Sequence, residues 1–251
     1  MKAPASPEKP KLKTHEAPRI SLNKLAEYIY SLPVRQTEIL QNAKHPSTFI
    51  TKQYEEACQT AVAYFVQGRD AEVVLRKIAE VEARTPEKEF ARQQRDRCAE
   101  ALQQFAAYCD AIPLPADAQL LAGSSRQLDS LTLGGTLISL RPDLLIRYQT
   151  ARKVPAVGVI KLVFSKTHPL KPEAAQLIGA LLRYQLTAHY PAPTKVPAVG
   201  CFVYDVFAQT VYHAPEAHIK RVREAEAAGK LIANLWPSIA KPKGWSAADA
   251  P

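Results

Sequence analysis

Cysteine is scarce in this chain. Cys58, Cys98, Cys109 and Cys201 are its four, no two stand in a CxxC pair, and no histidine pattern accompanies them. That excludes a zinc motif or a disulfide framework and makes a reducing, cytoplasmic setting the expectation. Long apolar runs are missing too. No stretch is uninterrupted enough to cross a bilayer, and the Pro- and Lys-rich first residues carry no apolar segment of the kind a signal peptide needs. A glycine-rich phosphate cradle, a nucleophile elbow and a spaced set of metal ligands are likewise absent, which leaves small-molecule enzymes little support. No repeat is apparent.

What is present suits a soluble protein with a real core. Of 251 residues, 47% are hydrophobic and 23% charged, enough for one ordinary domain or a compact one with an appended helical region. Lysine and arginine total 33 against 24 acids, a net +9. Such an excess favours a polyanionic partner, nucleic acid first. Part of it sits in the first twenty residues, where Lys2, Lys9, Lys11, Lys13 and Arg19 face only Glu8 and Glu16.

Composition and periodicity divide the chain into a disordered basic tail (1–20), a helical region (21–112), a turn-rich linker (113–127), an α/β core (128–237) and a second disordered tail (238–251). In the helical region Ser21 or Asn23 caps a helix whose apolar face is Leu22, Leu25, Ile29 and Leu32, ended by Pro33. Further helices are expected over 34–43, over 51–66, across "DAEVVLRKIAEVEAR", and in a longer one opened by Thr85 and Pro86. After the linker, "LDSLTLGGTLISLRPDLLIRY" reads as two strands turned at Gly134-Gly135. "VGVIKLVF" is a third strand. A helix opened by Pro172 follows, then one or two strands in "VGCFVYDVFAQTVYHAP" and a last helix stopped by Pro237. The expectation is an α/β (α+β) fold with a mixed central sheet, an αβββαβ core and a helical N-terminal region.

Charge interrupts that apolar core at Asp143, after Pro142 on the second strand, and at Lys161, in the middle of the third. A buried lysine needs a partner, because an unpaired buried charge costs several kcal/mol. The two readings are a plain Asp143–Lys161 ion pair, or an oxygen ligand and a cation set to hold a divalent metal and steady a phosphate. Ser165, Lys166, Thr167 and His168 follow at the carboxyl end of the third strand, where ligands of open α/β sheets gather. Arg183 and Tyr184 offer a cation and a stacking ring on the next helix. Lys220, Arg221 and Arg223 cluster at the start of the last. Each of these sets is a candidate nucleic-acid contact or an ordinary solvated surface. Asp205, in the following strand, has no evident role.

The element order, with Pro-Asp on the second strand and a lysine on the third, resembles the PD-(D/E)XK, RecB-like nuclease superfamily over roughly Glu87 to Phe207. The resemblance implies a magnesium-dependent phosphodiester hydrolase acting in DNA processing or defence. Asp143 would be its metal ligand, and Lys161 would orient water or stabilise the transition state. Val159 stands where the family's second acid belongs, on the same strand face as Lys161. Family members sometimes supply that acid from a helix, and the candidates are Glu173, Glu100, Glu89, Glu55 and Glu56. Gln176 matches the glutamine of RecB-like members, while Ala180 stands where their tyrosine belongs. The alternative is a catalytically inactive nuclease fold serving as a binding or protein-interaction scaffold.

Overall fold

The computed structural model describes residues 14–46, 54–123, 128–167 and 169–242. Its centre is a five-stranded mixed sheet ordered β2-β5-β6-β7-β8, formed by β2 (Gln119–Ala122), β5 (Leu144–Gln149), β6 (Pro155–Val163), β7 (Cys201–Asp205) and β8 (Thr210–His213). Strands β6 and β7 run parallel, and the other neighbours are antiparallel. The parallel pair needs a crossover, supplied by α6 (Pro172–His189). A smaller mixed sheet, β1-β4-β3, joins β1 (Arg19–Ser21), β3 (Ser130–Leu133) and β4 (Thr136–Ser139).

Alternation along the central strands sorts the core into two faces. Leu145, Val157, Val159, Val163, Cys201 and Val203 pack with α1 (Leu22–Ile29), α2 (Pro33–Lys44), α6 and α7 (His218–Leu235). Leu144, Ile146, Ile160, Leu162, Phe202 and Tyr204 pack with α3 (Glu55–Val66), α4 (Ala71–Glu82) and α5 (Glu89–Tyr108). The helical stretch 21–112 therefore covers both faces of the sheet. No described helix is long and apolar enough to cross a membrane.

Local sequence explains several helix starts. The Ser21 hydroxyl accepts the Lys24 N–H at 3.4 Å, Asp70 accepts that of Glu72 at 3.0 Å, and Pro33 and Pro172 open their helices. Other expectations need correction. Helix α5 starts at Glu89 after an N-cap at Lys88, with Thr85 and Pro86 in the connecting loop. The expected linker holds β2, an edge strand whose register runs from Gln119 opposite Arg147 to Ala122 opposite Leu144. The run expected as one strand after Gly135 is two. It breaks at Leu140–Asp143, where Arg141 takes a left-handed φ of 42°, and β4 goes to the small sheet while β5 enters the large one. Order also reaches into both expected tails. Within 1–20, β1 pairs with β4 from Arg19 opposite Leu137; beyond 237, Ile239 packs on the core. Residues 1–13 and 243–251 lie outside the described residues.

Candidate functional site

Asp143 sits one residue before β5 and continues its ladder, donating its backbone N–H to Ile160 O at 3.1 Å. That places it beside Lys161 on β6, and Lys161 Nζ lies 2.9 Å from Asp143 Oδ2. The ammonium also donates to Arg141 O at 2.8 Å, which the left-handed turn brings within reach. Asp143 Oδ2 accepts the Leu162 N–H at 2.7 Å, and Oδ1 accepts the Cys58 thiol at 3.6 Å. The two charged side chains are 13% and 14% exposed. Both carboxylate oxygens are thus engaged by the protein itself.

Cys58, from the α3 face that packs under the sheet, was not among the candidates, because its helical spacing made it one more core position. Burial, and next the Asp143 charge, push its thiol up to about 12, with Lys161 opposing. Glu55, in the first turn of α3, adds to that upward push.

The remaining acids go elsewhere. Val159 is fully buried in the apolar core. Glu173 is exposed in the first turn of α6, and Gln176 accepts a hydrogen bond from Arg221 Nη2 at 3.0 Å. Arg221 also donates to the Tyr30 hydroxyl at 2.8 Å and pairs with Glu224 at 2.9 Å. Burial, with Glu224 next, pushes the Tyr30 hydroxyl up to about 12, and Glu173 adds to the shift. Glu173, Gln176 and Arg221 therefore belong to an α1–α6–α7 cluster. Upstream, Glu100 pairs with Lys166 at 2.6 Å, Glu89 with Arg92 at 3.1 Å, and Glu56 with Arg84 and Lys77 at 2.6 and 2.8 Å. Of the upstream acids, Glu55 alone is seen to act electrostatically on the Asp143-bonded thiol. Among the described residues no three His, Cys, Asp or Glu gather as a metal-ligand set. The donors fit magnesium poorly: the ion wants several oxygen ligands, and Asp143 offers oxygens already hydrogen-bonded beside an ammonium and a valine.

The expected nucleic-acid contacts are scattered. Ser165 and Thr167 line a cavity of about 850 Å³ between α1 and the start of α6, with Val163, Leu170 and Lys171; His168 lies outside the described residues. Arg183 is a half-buried brace, donating to the carbonyls of Val196, Pro215 and Glu216 at 3.0–3.2 Å. Tyr184 packs against the core. Lys220 and Arg223 are exposed on α7. Asp205 gains a role: fully buried at the end of β7, it accepts the N–H groups of Leu170 at 3.0 Å and Ala208 at 3.1 Å. It pins the crossover loop to the sheet.

Comparison with protein-family models finds no match, and comparison with curated proteins finds none.

Proposed function

We propose that this chain is a nucleic-acid-binding protein built on a PD-(D/E)XK-like fold whose former hydrolytic centre serves as a structural ion pair. The observation carrying this reading is the placement of Asp143 and Lys161. Asp143, one residue before β5, lies beside Lys161 on β6; α5 and β2 precede them, and crossover α6 and parallel β7 follow. That order supports the resemblance on which the reading rests. The engaged carboxylate, the buried Val159 and the Gln176 amide bonded to Arg221 support binding without hydrolysis. The excess of nine positive charges supports a polyanionic partner.

The test is fluorescence anisotropy with labelled DNA and RNA between 50 and 200 mM salt, alongside a cleavage assay in Mg²⁺ or Mn²⁺. The expected result is binding that weakens at least roughly tenfold across that range, with the nucleic acid intact. Metal-dependent cutting that disappears in Asp143→Asn would overturn the non-hydrolytic reading. Absence of salt-sensitive binding would overturn the nucleic-acid reading and favour a protein partner.

A further inference from the structure

The cavity of about 850 Å³ opens between α1, the turn into α2, the carboxyl end of β6 and the start of α6. Its size suits a small molecule, and open α/β sheets bind ligands outside the carboxyl ends of their strands. The walls are pre-formed. Leu170 is held by its N–H on the buried Asp205 carboxylate at 3.0 Å, and its carbonyl accepts the Tyr212 hydroxyl at 3.4 Å. Ala26 and Val163, which also line the space, are buried residues of the core behind it.

Three cations and one acid line the cavity, a net +2 from Lys24, Arg35, Lys171 and Glu27. Glu27 is clamped by Lys24 and by Arg35, which lies 2.6 Å from it and reaches Glu38 outside the lining at 3.0 Å. Lys171 is different. It has no carboxylate partner among the described residues, and its ammonium donates to the Tyr30 carbonyl at 3.0 Å. That bond ties the α6 wall to the α1 wall and leaves two N–H groups of the ammonium to spare. The cavity it lines is what separates it from an ordinary surface lysine.

Polar groups complete the lining. Ser165 and Thr167 bring hydroxyls from just beyond β6. Asn23, in the α1 wall, has a buried Oδ1 with no hydrogen-bond partner among the described residues. Buried polar atoms are nearly always satisfied, so this one calls for a donor. No side chain caps the first turn of α6, and the acid of that turn, Glu173, lies outside the lining and acts on Tyr30 and Arg221. The positive end of the helix therefore adds to the field of Lys171.

We infer that this cavity binds a phosphomonoester, with the phosphate on Lys171 and a hydroxyl-bearing body along Asn23, Ala26 and Leu170. A phosphomonoester carries about −1.5 to −2 at pH 7 on three strong acceptor oxygens, which matches the net charge of the lining at one compact point. An internal phosphodiester carries a single charge and matches it less well. The phosphate belongs either to a free sugar phosphate or to the 5′ end of a nucleic-acid strand; the recognised chemistry is the same. Neither Asp143 nor Lys161 lines the cavity, so the assignment goes beyond the nucleic-acid reading and does not depend on it.

The experiment is calorimetric titration of the full chain with ribose 5-phosphate, ribose, and succinate, whose two charges are spread along its chain. The same titrations are run on Lys24→Gln with Lys171→Gln, and on Lys166→Gln as control, since Lys166 pairs with Glu100 and does not line the cavity. The expected result is binding of ribose 5-phosphate, none of ribose, and succinate at least about tenfold weaker. The double variant should lose at least about tenfold in affinity for the ester, with the control little changed. Thermal melts check folding; if the double variant melts early, Lys171→Gln alone carries the comparison. A 5′-phosphorylated oligonucleotide that outbinds its 5′-hydroxyl twin supports the assignment and makes a strand end the source. Equal affinity of the two, with the ester bound, supports it and makes a free ester the source. A folded variant with native affinity, succinate bound as well as the ester, or neither ester binding nor preference for the phosphorylated strand overturns it. Salt-sensitive binding of the 5′-hydroxyl strand is read separately, so the nucleic-acid reading stands or fails on its own.

Discussion

An ammonium and a carboxylate held 2.9 Å apart and about one-seventh exposed depend on each other. Removing either leaves a charge where water barely reaches, and such a loss costs on the order of 3 kcal/mol. Lys161→Met and Asp143→Leu should each show that loss in urea unfolding. The double variant should recover much of it, since an apolar pair of similar volume suits a site already walled by Val159 and Cys58. If the single variants retain full stability, the pair has no structural role. The same residues show how far sequence reaches. Asp143 and Lys161 stood out because charge interrupted apolar strands. Cys58, the thiol on Asp143 Oδ1, did not, because only folding brings α3 under β5. Gln176 pointed to the family glutamine by spacing, yet its partner Arg221 comes from a helix distant in sequence.

Among the elements, α3 and α4 are tied by Glu56, whose carboxylate meets Lys77 on α4 and Arg84 just after it. Hydrogen bonding from Arg84 first, aided by Lys77 and opposed by burial, lowers Glu56 to about 2. A carboxyl depressed in the folded state stabilises above its unfolded pKa, near 4.3, and loses that contribution as pH falls toward 2. The tie is partly exposed, so it is worth at most about 1 kcal/mol. Urea unfolding of Glu56→Gln should show that deficit at pH 7 and little of it at pH 2.5; an equal deficit at both would remove the electrostatic account. A second contact is steric. Gly229 on α7 lies so close to the β3–β4 hairpin that a Cβ there would strike Leu133 O, while a Cβ on Gly134, at φ +56°, would strike the backbone of Glu226 and Lys230. Gly229→Ala should therefore destabilise by about 1–3 kcal/mol as the small sheet is pushed off α7, and an unchanged melting temperature would contradict that packing. The Gly134-Gly135 turn was legible in sequence from its residue types. Strand β2 was not, because "QLLA" is short and half-exposed at an edge. The break between β4 and β5 was hidden because Leu140 and Pro142 keep the run apolar across it.

At the scale of the molecule, the five-stranded sheet is the shared wall of two cores, and the chain reaches both faces before it builds the sheet between them. Its two described ends also meet. His15 N–H bonds Lys44 O at 2.8 Å, and Trp236 Nε1 donates to His15 O at 3.0 Å. Lys44 Nζ in turn reaches the carbonyls of Trp236, Pro237 and Ile239 at 2.7, 3.2 and 3.4 Å. In contour the molecule is nearly a ring with a clasp. A permuted chain opened between Thr85 and Lys88, with its flanks sealed by a linker at the clasp, should melt within about 4 °C of the parent, because no buried element is cut. Unclasping it by Lys44→Ala should let the two ends part before the rest of the ring gives way, which hydrogen exchange at His15 and Ile239 would register.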